Sequence, residues 1–248
     1  MSWRRVEGMG RRIGIVAGWV AGVLVLVVVG FLGWANTPMM GERPAAIEAW
    51  TDSAVQIRDA GDAVVMAPTG HTSGEGLVFI PGARVDPYAY LYKLSGAVAE
   101  TGLTVVITKP TLNLAFFDTR PLSTFTSLAP DVDEWAVGGH SLGGVRACQL
   151  ADDPVVKRLI LFGSYCANDL SQSGLAVLSI GGEHDGLSTP AKIEGAAHLL
   201  PSDATFVEVP GMTHAQFGDY GLQPGDGTAT ISDDQARDAI TAALVSVL

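Results

Sequence analysis

The sequence predicts a doubly wound α/β fold with a mostly parallel sheet, preceded by one N-terminal transmembrane helix. Two patterns support this fold class. Short apolar runs rich in β-branched residues alternate with helical stretches, which is typical of strands buried between two layers of helices. A separate uncharged run, residues 13–35, is long enough to cross a bilayer.

The uncharged run follows four arginines in residues 1–12. Because basic residues are retained on the cytoplasmic side, we expect a cytoplasmic N-terminus (1–12), a transmembrane signal anchor (13–35) and an extracytoplasmic remainder. Residues 36–50 are interpreted as a spacer and residues 51–248 as the folded domain. Two alternatives stay open: cleavage as a signal peptide, which would release a secreted protein, and a buried core helix.

The predicted strands show little alternation of polar and apolar residues, so most are expected to be buried on both faces. They are Ala63–Ala67, Leu77–Ile80, Thr104–Thr108, Trp135–Gly138, Arg158–Phe162, Ala176–Ile180 and Thr205–Val209. A further run at Val55–Ile57 is joined to the first of them by a short Asp-Ala-Gly-Asp turn. This spacing favours an antiparallel hairpin at the edge of the sheet.

Helix starts and ends are marked by specific residues. Asp86 and Thr189 each combine an N-cap side chain with a following proline, and Gly102 stands where a helix is expected to end. Ser232 and Gln235 have the spacing of a capping box. The apolar stripe that follows them predicts a C-terminal helix packed on the sheet.

Charge and cysteine content exclude several kinds of partner. The chain has 15 basic and 26 acidic side chains, a formal net charge of −11. An acidic body repels phosphate backbones, so nucleic-acid binding is not expected.

Cys148 and Cys166 leave two states open, a disulfide in an exported protein or buried free thiols. No cysteine–histidine cluster has zinc-site spacing, and neither a metal nor a cofactor is expected.

Residues 139–143 read Gly-His-Ser-Leu-Gly, a G-x-S-x-G motif between a predicted strand and a helical stretch. A nucleophile on such a sharp turn has strained backbone geometry, and glycines beside it remove side chains that would clash. The motif predicts Ser141 as a nucleophile and the backbone N–H of Leu142 as one oxyanion donor. The alternative is an ordinary glycine-rich turn with an inert serine.

A nucleophilic serine needs a base and an acid that orients the base; in this fold the acid and then the histidine follow the serine. Asp185 and His214 each follow a predicted strand, so both belong at the sheet edge of Ser141. Glu183 is the alternative acid, and His140 is expected to point away from the nucleophile. A solvated loop acid and a surface histidine are the non-functional interpretations.

The loop after the strand Leu77–Ile80 is expected to supply the second oxyanion donor. Ala83 is the predicted donor and Arg84 the alternative; the arginine side chain could instead attract an anionic substrate or be solvated.

The segment Gly218–Gly227 lacks the spacing of a calcium loop and is predicted to pack near His214. Five aromatic residues could line a substrate pocket or belong to the core: Tyr88, Phe116, Phe117, Tyr165 and Phe217.

Three stretches resemble the α/β-hydrolase superfamily: PGARVDPYAY at 81–90, GGHSLGGV at 138–145 and GMTHAQFGDYGLQPGDGTATIS at 211–232. The likeness extends over residues 50–248 and is greatest to small bacterial members without a cap domain, in the dienelactone-hydrolase-like group. It implies the α/β-hydrolase fold, with Ser141, Asp185 and His214 as the catalytic triad. Dienelactone hydrolases have cysteine in place of this serine, so their substrate is not implied.

Residues 163–175 stand where larger relatives insert a helical lid, and this short segment argues against a lipase for long-chain esters. The sequence therefore predicts a carboxylesterase-like serine hydrolase (EC 3.1.1) that cleaves small to medium esters through an acyl-enzyme. Thioester or amide hydrolysis by the same fold is the alternative within this class. The alternative of another class is a non-catalytic binding protein on a hydrolase scaffold. The expected partners are a small-molecule ester and a membrane.

Overall fold

The computed structural model describes residues 3–248, with side chains from residue 14 onward, and divides into two compact units at Thr37. The first unit contains one long helix, α1 (Trp3–Ala35). Its stretch Gly14–Ala35, 22 residues with a mean hydropathy of 2.8, is long and apolar enough to cross a membrane. The most apolar window of this stretch is 0% buried, which does not fit a buried core helix. An N-terminal signal sequence can meet the same criteria of length and hydropathy.

The second unit is built on an eight-stranded sheet with the order β1-β2-β4-β3-β5-β6-β7-β8. The strands are β1 (Val55–Asp59), β2 (Ala63–Pro68), β3 (Glu75–Ile80), β4 (Thr104–Thr108), β5 (Glu134–His140), β6 (Val156–Phe162), β7 (Ala176–Gly182) and β8 (Thr205–Val209). β2 pairs antiparallel with β1 and β4, and the other neighbouring strands are parallel. The predicted hairpin and mostly parallel sheet are therefore confirmed.

The helices of this unit are α2 (Arg43–Thr51), α3 (Leu91–Thr101), α4 (Ser123–Thr126), α5 (Leu142–Leu150), α6 (Pro190–Ala196) and α7 (Asp233–Val245). Short 3-10 turns occur at Pro87–Tyr90, Thr111–Asn113, Ala115–Phe117, Ala197–Leu199 and Ala215–Phe217. Two of the predicted caps form: Asp86 accepts a hydrogen bond from the N–H of Tyr88, and Ser232 and Gln235 make both bonds of a capping box. Thr189 precedes α6 as predicted, but its side chain makes no capping hydrogen bond. Gly102 ends α3 with a φ of 77°, which favours glycine.

The core lies on both faces of the sheet. Leu77 and Phe79 of β3 are fully buried in the cluster that α3 and α7 cover. Val78 and Ile80 of the same strand point to the opposite face, which α5 covers. Because both faces are buried, the strands are apolar throughout, and this is why the sequence lacks alternation.

The folded unit begins at Pro38, so most of the stretch interpreted as a spacer belongs to it. The N–H of Met39 donates to the carbonyl of Arg84 (2.6 Å), and the N–H of Asp86 donates to the carbonyl of Met39 (2.9 Å). Helix α2 follows, with Ala49 as its buried residue. One buried side chain in nine residues gives almost no periodic signal, so the sequence pattern could not predict this helix.

Candidate active site

Ser141 lies on the turn between β5 and α5 with φ 52° and ψ −123°. A positive φ is strained for a residue with a side chain. A Cβ atom on Gly139 would come within 2.6 Å of the carbonyl carbon of Gly143, and one on Gly143 would collide with the carbonyl oxygen of Ile80. The two glycines of the motif therefore permit the close packing that this turn requires.

The main chain of Ser141 is fixed by hydrogen bonds to neighbouring segments. Its N–H donates to the carbonyl of Phe162 at the end of β6 (3.0 Å). Its carbonyl accepts the hydroxyl of Ser164 (2.7 Å) and the N–H of Gly144 (3.0 Å). Among the described residues, none forms a hydrogen bond with the Ser141 hydroxyl, and this side chain is partly exposed.

Asp185 and His214 form a buried pair. Nδ1 of His214 lies 2.7 Å from Oδ2 of Asp185, and both side chains are 0% exposed. The other carboxylate oxygen, Oδ1, accepts the N–H groups of Leu187 (2.8 Å) and Ser188 (2.6 Å), which fixes the orientation of the acid. With Nδ1 engaged, Nε2 of His214 is the nitrogen left to accept a proton. This buried atom has no hydrogen-bond partner within the described part of the chain.

The alternative acid occupies a different position. Oε2 of Glu183 accepts the N–H of Gly211 (2.8 Å) and lies 3.8 Å from Nε2 of His184. Its side chain is about half exposed. Asp185, rather than Glu183, therefore orients the imidazole of His214.

Ser141 and His214 are brought to the same edge of the sheet, although no hydrogen bond joins their side chains within residues 14–248. The ring of His140, the residue before the serine, lies 4.4 Å from the ring of His214. Gly163 lies between Ser141 and Asp185. It directly follows Phe162, whose carbonyl binds the N–H of Ser141, and a Cβ on Gly163 would lie 3.0 Å from Oδ2 of Asp185. Serine–histidine hydrogen bonds are often long until substrate binds.

His140 and Tyr90 form a buried support that the sequence analysis did not identify. The Tyr90 hydroxyl accepts the N–H of Gly82 (2.9 Å) and lies 2.9 Å from Nδ1 of His140. Burial, reinforced by the neighbouring His214, holds the pKa of His140 well below its usual value. Tyr90 therefore links the loop after β3 to a neutral imidazole beside His214. No sequence signal pairs residues 50 positions apart.

The two predicted oxyanion donors lie in favourable backbone positions. Leu142 is the first residue of α5, so its N–H has no partner inside the helix. In the loop after β3, Gly82 donates its N–H to Tyr90, and Arg84 donates its N–H to the carbonyl of Asn113 (2.7 Å). For the region the structure describes, this leaves the Ala83 N–H as the loop amide without an acceptor. The N–H of Arg84 is not available for an oxyanion.

The five aromatic candidates have different environments. Phe217 is fully buried, with its ring 5.6 Å from that of Phe162, so it belongs to the core. The Tyr88 hydroxyl donates to Asp59 of the edge strand β1 (2.7 Å), four strands away from β5 in the sheet order. The remaining three are partly or largely exposed: Tyr165, Phe116 and Phe117.

Cys148 and Cys166 form a disulfide, one of the two states that the sequence left open. It joins α5, the helix that follows Ser141, to residues 163–175 after β6. This short segment contains no helix and lies where a lid would be inserted. No group of three or more acidic, histidine or cysteine side chains is placed to hold a metal ion among the residues searched, which are the described ones.

A model of the Alpha/beta hydrolase family matches residues 76–238, more than half of the chain. No curated protein sequence matches this chain.

Similar solved structures include an esterase domain from Rhodothermus marinus, with a TM-score of 0.56 and 13% identity over 76% of this chain and 95% of that one. A serine hydrolase without lid from Xanthomonas campestris has a TM-score of 0.55 and 16% identity over 80% and 96%. A serine hydrolase homologue from Coxiella burnetii has a TM-score of 0.52 and 14% identity over 77% and 96%. At these identities the likeness shows the fold, and it supports the predicted lidless architecture.

Proposed function

The chain belongs to the alpha/beta hydrolase family, and on that premise we propose that it is a serine hydrolase for small to medium carboxylic esters, with carboxylesterase-like (EC 3.1.1) activity. The buried pair of Asp185 and His214 is the observation that carries the proposal. It leaves Nε2 as a base at the same sheet edge as Ser141, whose strained turn is typical of a nucleophile.

In the proposed acylation step, Oγ of Ser141 attacks the ester carbonyl carbon while its proton passes to Nε2 of His214. Asp185 holds the Nδ1–H and stabilises the imidazolium that forms. The N–H groups of Leu142 and Ala83 donate to the tetrahedral oxyanion. When the intermediate collapses, the bond to the alcohol oxygen breaks, and His214 gives that oxygen its proton.

Deacylation uses the same groups with water as the nucleophile. Nε2 of His214 accepts a proton from water, and the resulting oxygen attacks the acyl carbon. Collapse of the second intermediate breaks the bond to Oγ, and His214 returns the proton to Ser141. The products are a carboxylic acid, an alcohol and the free enzyme.

The short segment between β6 and β7 supports the size of the substrate. Residues 163–175 contain no helix, and the Cys148–Cys166 disulfide attaches them to α5. A long acyl chain would need an apolar cover, which lipases obtain from a lid, whereas a short chain needs only an open cleft. We therefore expect kcat/KM for p-nitrophenyl esters to be highest for short and medium acyl chains. A maximum at long chains would contradict this size range.

Two features support a membrane-anchored enzyme with an extracytoplasmic hydrolase domain. The arginines within residues 1–12 precede the apolar run 13–35, which favours a cytoplasmic N-terminus. The disulfide is of a kind that persists in oxidising compartments. Protease added to intact cells should degrade the hydrolase domain, and the protein should stay in the membrane fraction at full length. A shortened protein in the medium would instead indicate a cleaved signal peptide.

A fluorophosphonate probe tests the hydrolase itself. We expect the full-length chain to be labelled, Ser141→Ala to be unlabelled, and the matched exposed variant Ser202→Ala to be labelled like the wild type. A folded wild-type protein that stays unlabelled and cleaves no ester would favour a non-catalytic binding protein. Faster turnover of matched thioesters or amides would move the activity to another bond type.

A further inference from the structure

Asp226 accepts an unusual number of backbone hydrogen bonds. Its Oδ1 accepts the N–H groups of Gly186 (3.0 Å), His214 (3.1 Å) and Gly227 (2.7 Å). Its Oδ2 accepts the N–H of Ala215 (2.8 Å). One carboxylate thus binds the main chain of the loop after β7, at Gly186, and two stretches of the connection between β8 and α7, at His214–Ala215 and at Gly227.

The donors of these bonds are placed next to the proposed acid and base. Gly186 directly follows Asp185, and the His214 N–H belongs to the base itself. The 2.7 Å contact between Asp185 and His214 is therefore accompanied by a second connection through Asp226. Other bonds also join the two loops: Glu183 accepts the N–H of Gly211, and the N–H groups of Glu183 and His184 donate to the carbonyls of Val209 and Met212. The Asp226 connection differs from these because it ends on the N–H of His214 itself.

Glycines allow Asp226 to reach both loops. A Cβ on Gly186 would lie 2.6 Å from the carbonyl oxygen of Gly225, and one on Gly227 would collide with the carbonyl oxygen of His184. The ring of His184 also contacts this segment, because its Nδ1 lies 2.8 Å from the carbonyl oxygen of Thr228. The main chain around His184 and Gly186 consequently packs directly against the main chain around Gly225 and Gly227, at a distance that only glycine permits.

We propose that Asp226 is a positioning residue that holds His214 and Asp185 in register for proton transfer. This inference rests on the proposed hydrolase function. Asp226 acts through the backbone of His214 and Gly186 and does not touch the substrate. A carboxylate suits the role because both of its oxygens accept hydrogen bonds, whereas an amide would direct an NH2 group at one of the N–H donors.

Asp226→Asn keeps the shape of the side chain and removes one acceptor, while Asp226→Ala removes all four bonds. We expect kcat for a p-nitrophenyl ester to fall about 10-fold in the first variant and about 100-fold in the second, because small displacements of a catalytic group are costly. KM should change less than about twofold, since the substrate contacts are unaltered. Asp131→Asn, an exposed acid, is the matched control and should keep the wild-type kcat.

The low-field proton NMR resonance of the His214 Nδ1–H gives a readout independent of activity. It should persist in the wild type and in Asp131→Asn, and weaken or vanish in both Asp226 variants. If the wild type cleaves no ester but this pattern holds, the proposed function fails and the positioning role stands. Unchanged kcat and an unchanged resonance in Asp226→Asn would overturn the inference, as would a raised KM with normal kcat. Should Asp226→Ala not fold, the shape-preserving asparagine variant decides alone.

Discussion

Ser141 is fixed through its main-chain atoms, whereas His214 is fixed by the carboxylates of two other segments, Asp185 and Asp226. The serine turn lies within residues 139–144, and its bonds run to the adjacent strand β6 and to its own helix. The acid and base lie 29 residues apart, and Asp226 binds Gly186 across 40 residues. The serine half is thus encoded in one short stretch, although its bonds to Phe162 and Ser164 form only on folding, whereas the acid–base half is assembled from separate segments.

This difference has a consequence for tolerance to mutation. In the serine half, a side chain added at Gly139 or Gly143 meets backbone that cannot move aside, so substitutions of these glycines should lower stability. In the acid–base half, isosteric substitutions should leave the fold intact and change only the alignment of the reacting groups.

Ser141→Ala should lower kcat by at least about 10⁴-fold, because the attacking atom is lost while the remaining binding groups persist. The melting temperature should stay close to that of the wild type, since the hydroxyl forms no hydrogen bond with any residue the structure describes. An ester-hydrolysis assay and a thermal melt of the purified full-length protein measure the two quantities. Retained turnover would assign the nucleophile to another residue.

Asp185→Asn should lower kcat by about 10³-fold to 10⁴-fold, because an amide at this position no longer fixes the reactive tautomer of His214. Glu183→Gln, two residues away in the same loop, is the matched control and should retain activity within a few-fold. Steady-state kinetics of both variants decide between the two acids. A larger loss in the Glu183 variant would reverse the assignment.

Gly143→Ala should destabilise the fold by about 2 kcal/mol or more, because the new methyl group overlaps the Ile80 carbonyl. Gly195→Ala, in an exposed part of α6 where a Cβ meets no atom within 4 Å, should be neutral or stabilising by up to about 1 kcal/mol. Urea unfolding of the two variants measures the contrast. Equal stabilities would mean that the serine turn is more adaptable than its backbone contacts indicate.

Cys148→Ser with Cys166→Ser should lower the free energy of unfolding by about 3 kcal/mol, since the disulfide closes a loop of 18 residues. We expect kcat/KM to change only a few-fold, because neither sulfur belongs to the reacting groups. Chemical denaturation and ester kinetics of the same preparation give both values. A large loss of kcat at full folding would place the disulfide among the elements that align Ser141.

The same division between local and distant contacts explains what the sequence could predict. The strands were predictable because burial on both faces makes them continuously apolar, and the serine turn was predictable because its glycines are adjacent in the chain. Asp185 and His214 followed from their order after two strands. The packing of Gly218–Gly227 near His214 was predicted and agrees with the Asp226–His214 bond. The bond of Asp226 to Gly186 and the Tyr90–His140 contact were not predictable, since nothing in a linear pattern pairs residues 40 or 50 positions apart. The disulfide depended in the same way on three-dimensional proximity.

The segment after Pro38 determines how far the chain can be shortened to obtain a soluble enzyme. Met39 is hydrogen-bonded to Arg84 and Asp86 on the loop that carries Ala83, and the N–H of Glu42 donates to the carbonyl of Asp219 in the segment before Asp226 (2.6 Å). A protein that starts at Pro38 keeps these bonds without the apolar helix. A protein that starts after α2 would lose these hydrogen bonds to both loops. We would then expect low activity, caused by the truncation and not by a defect in the active site.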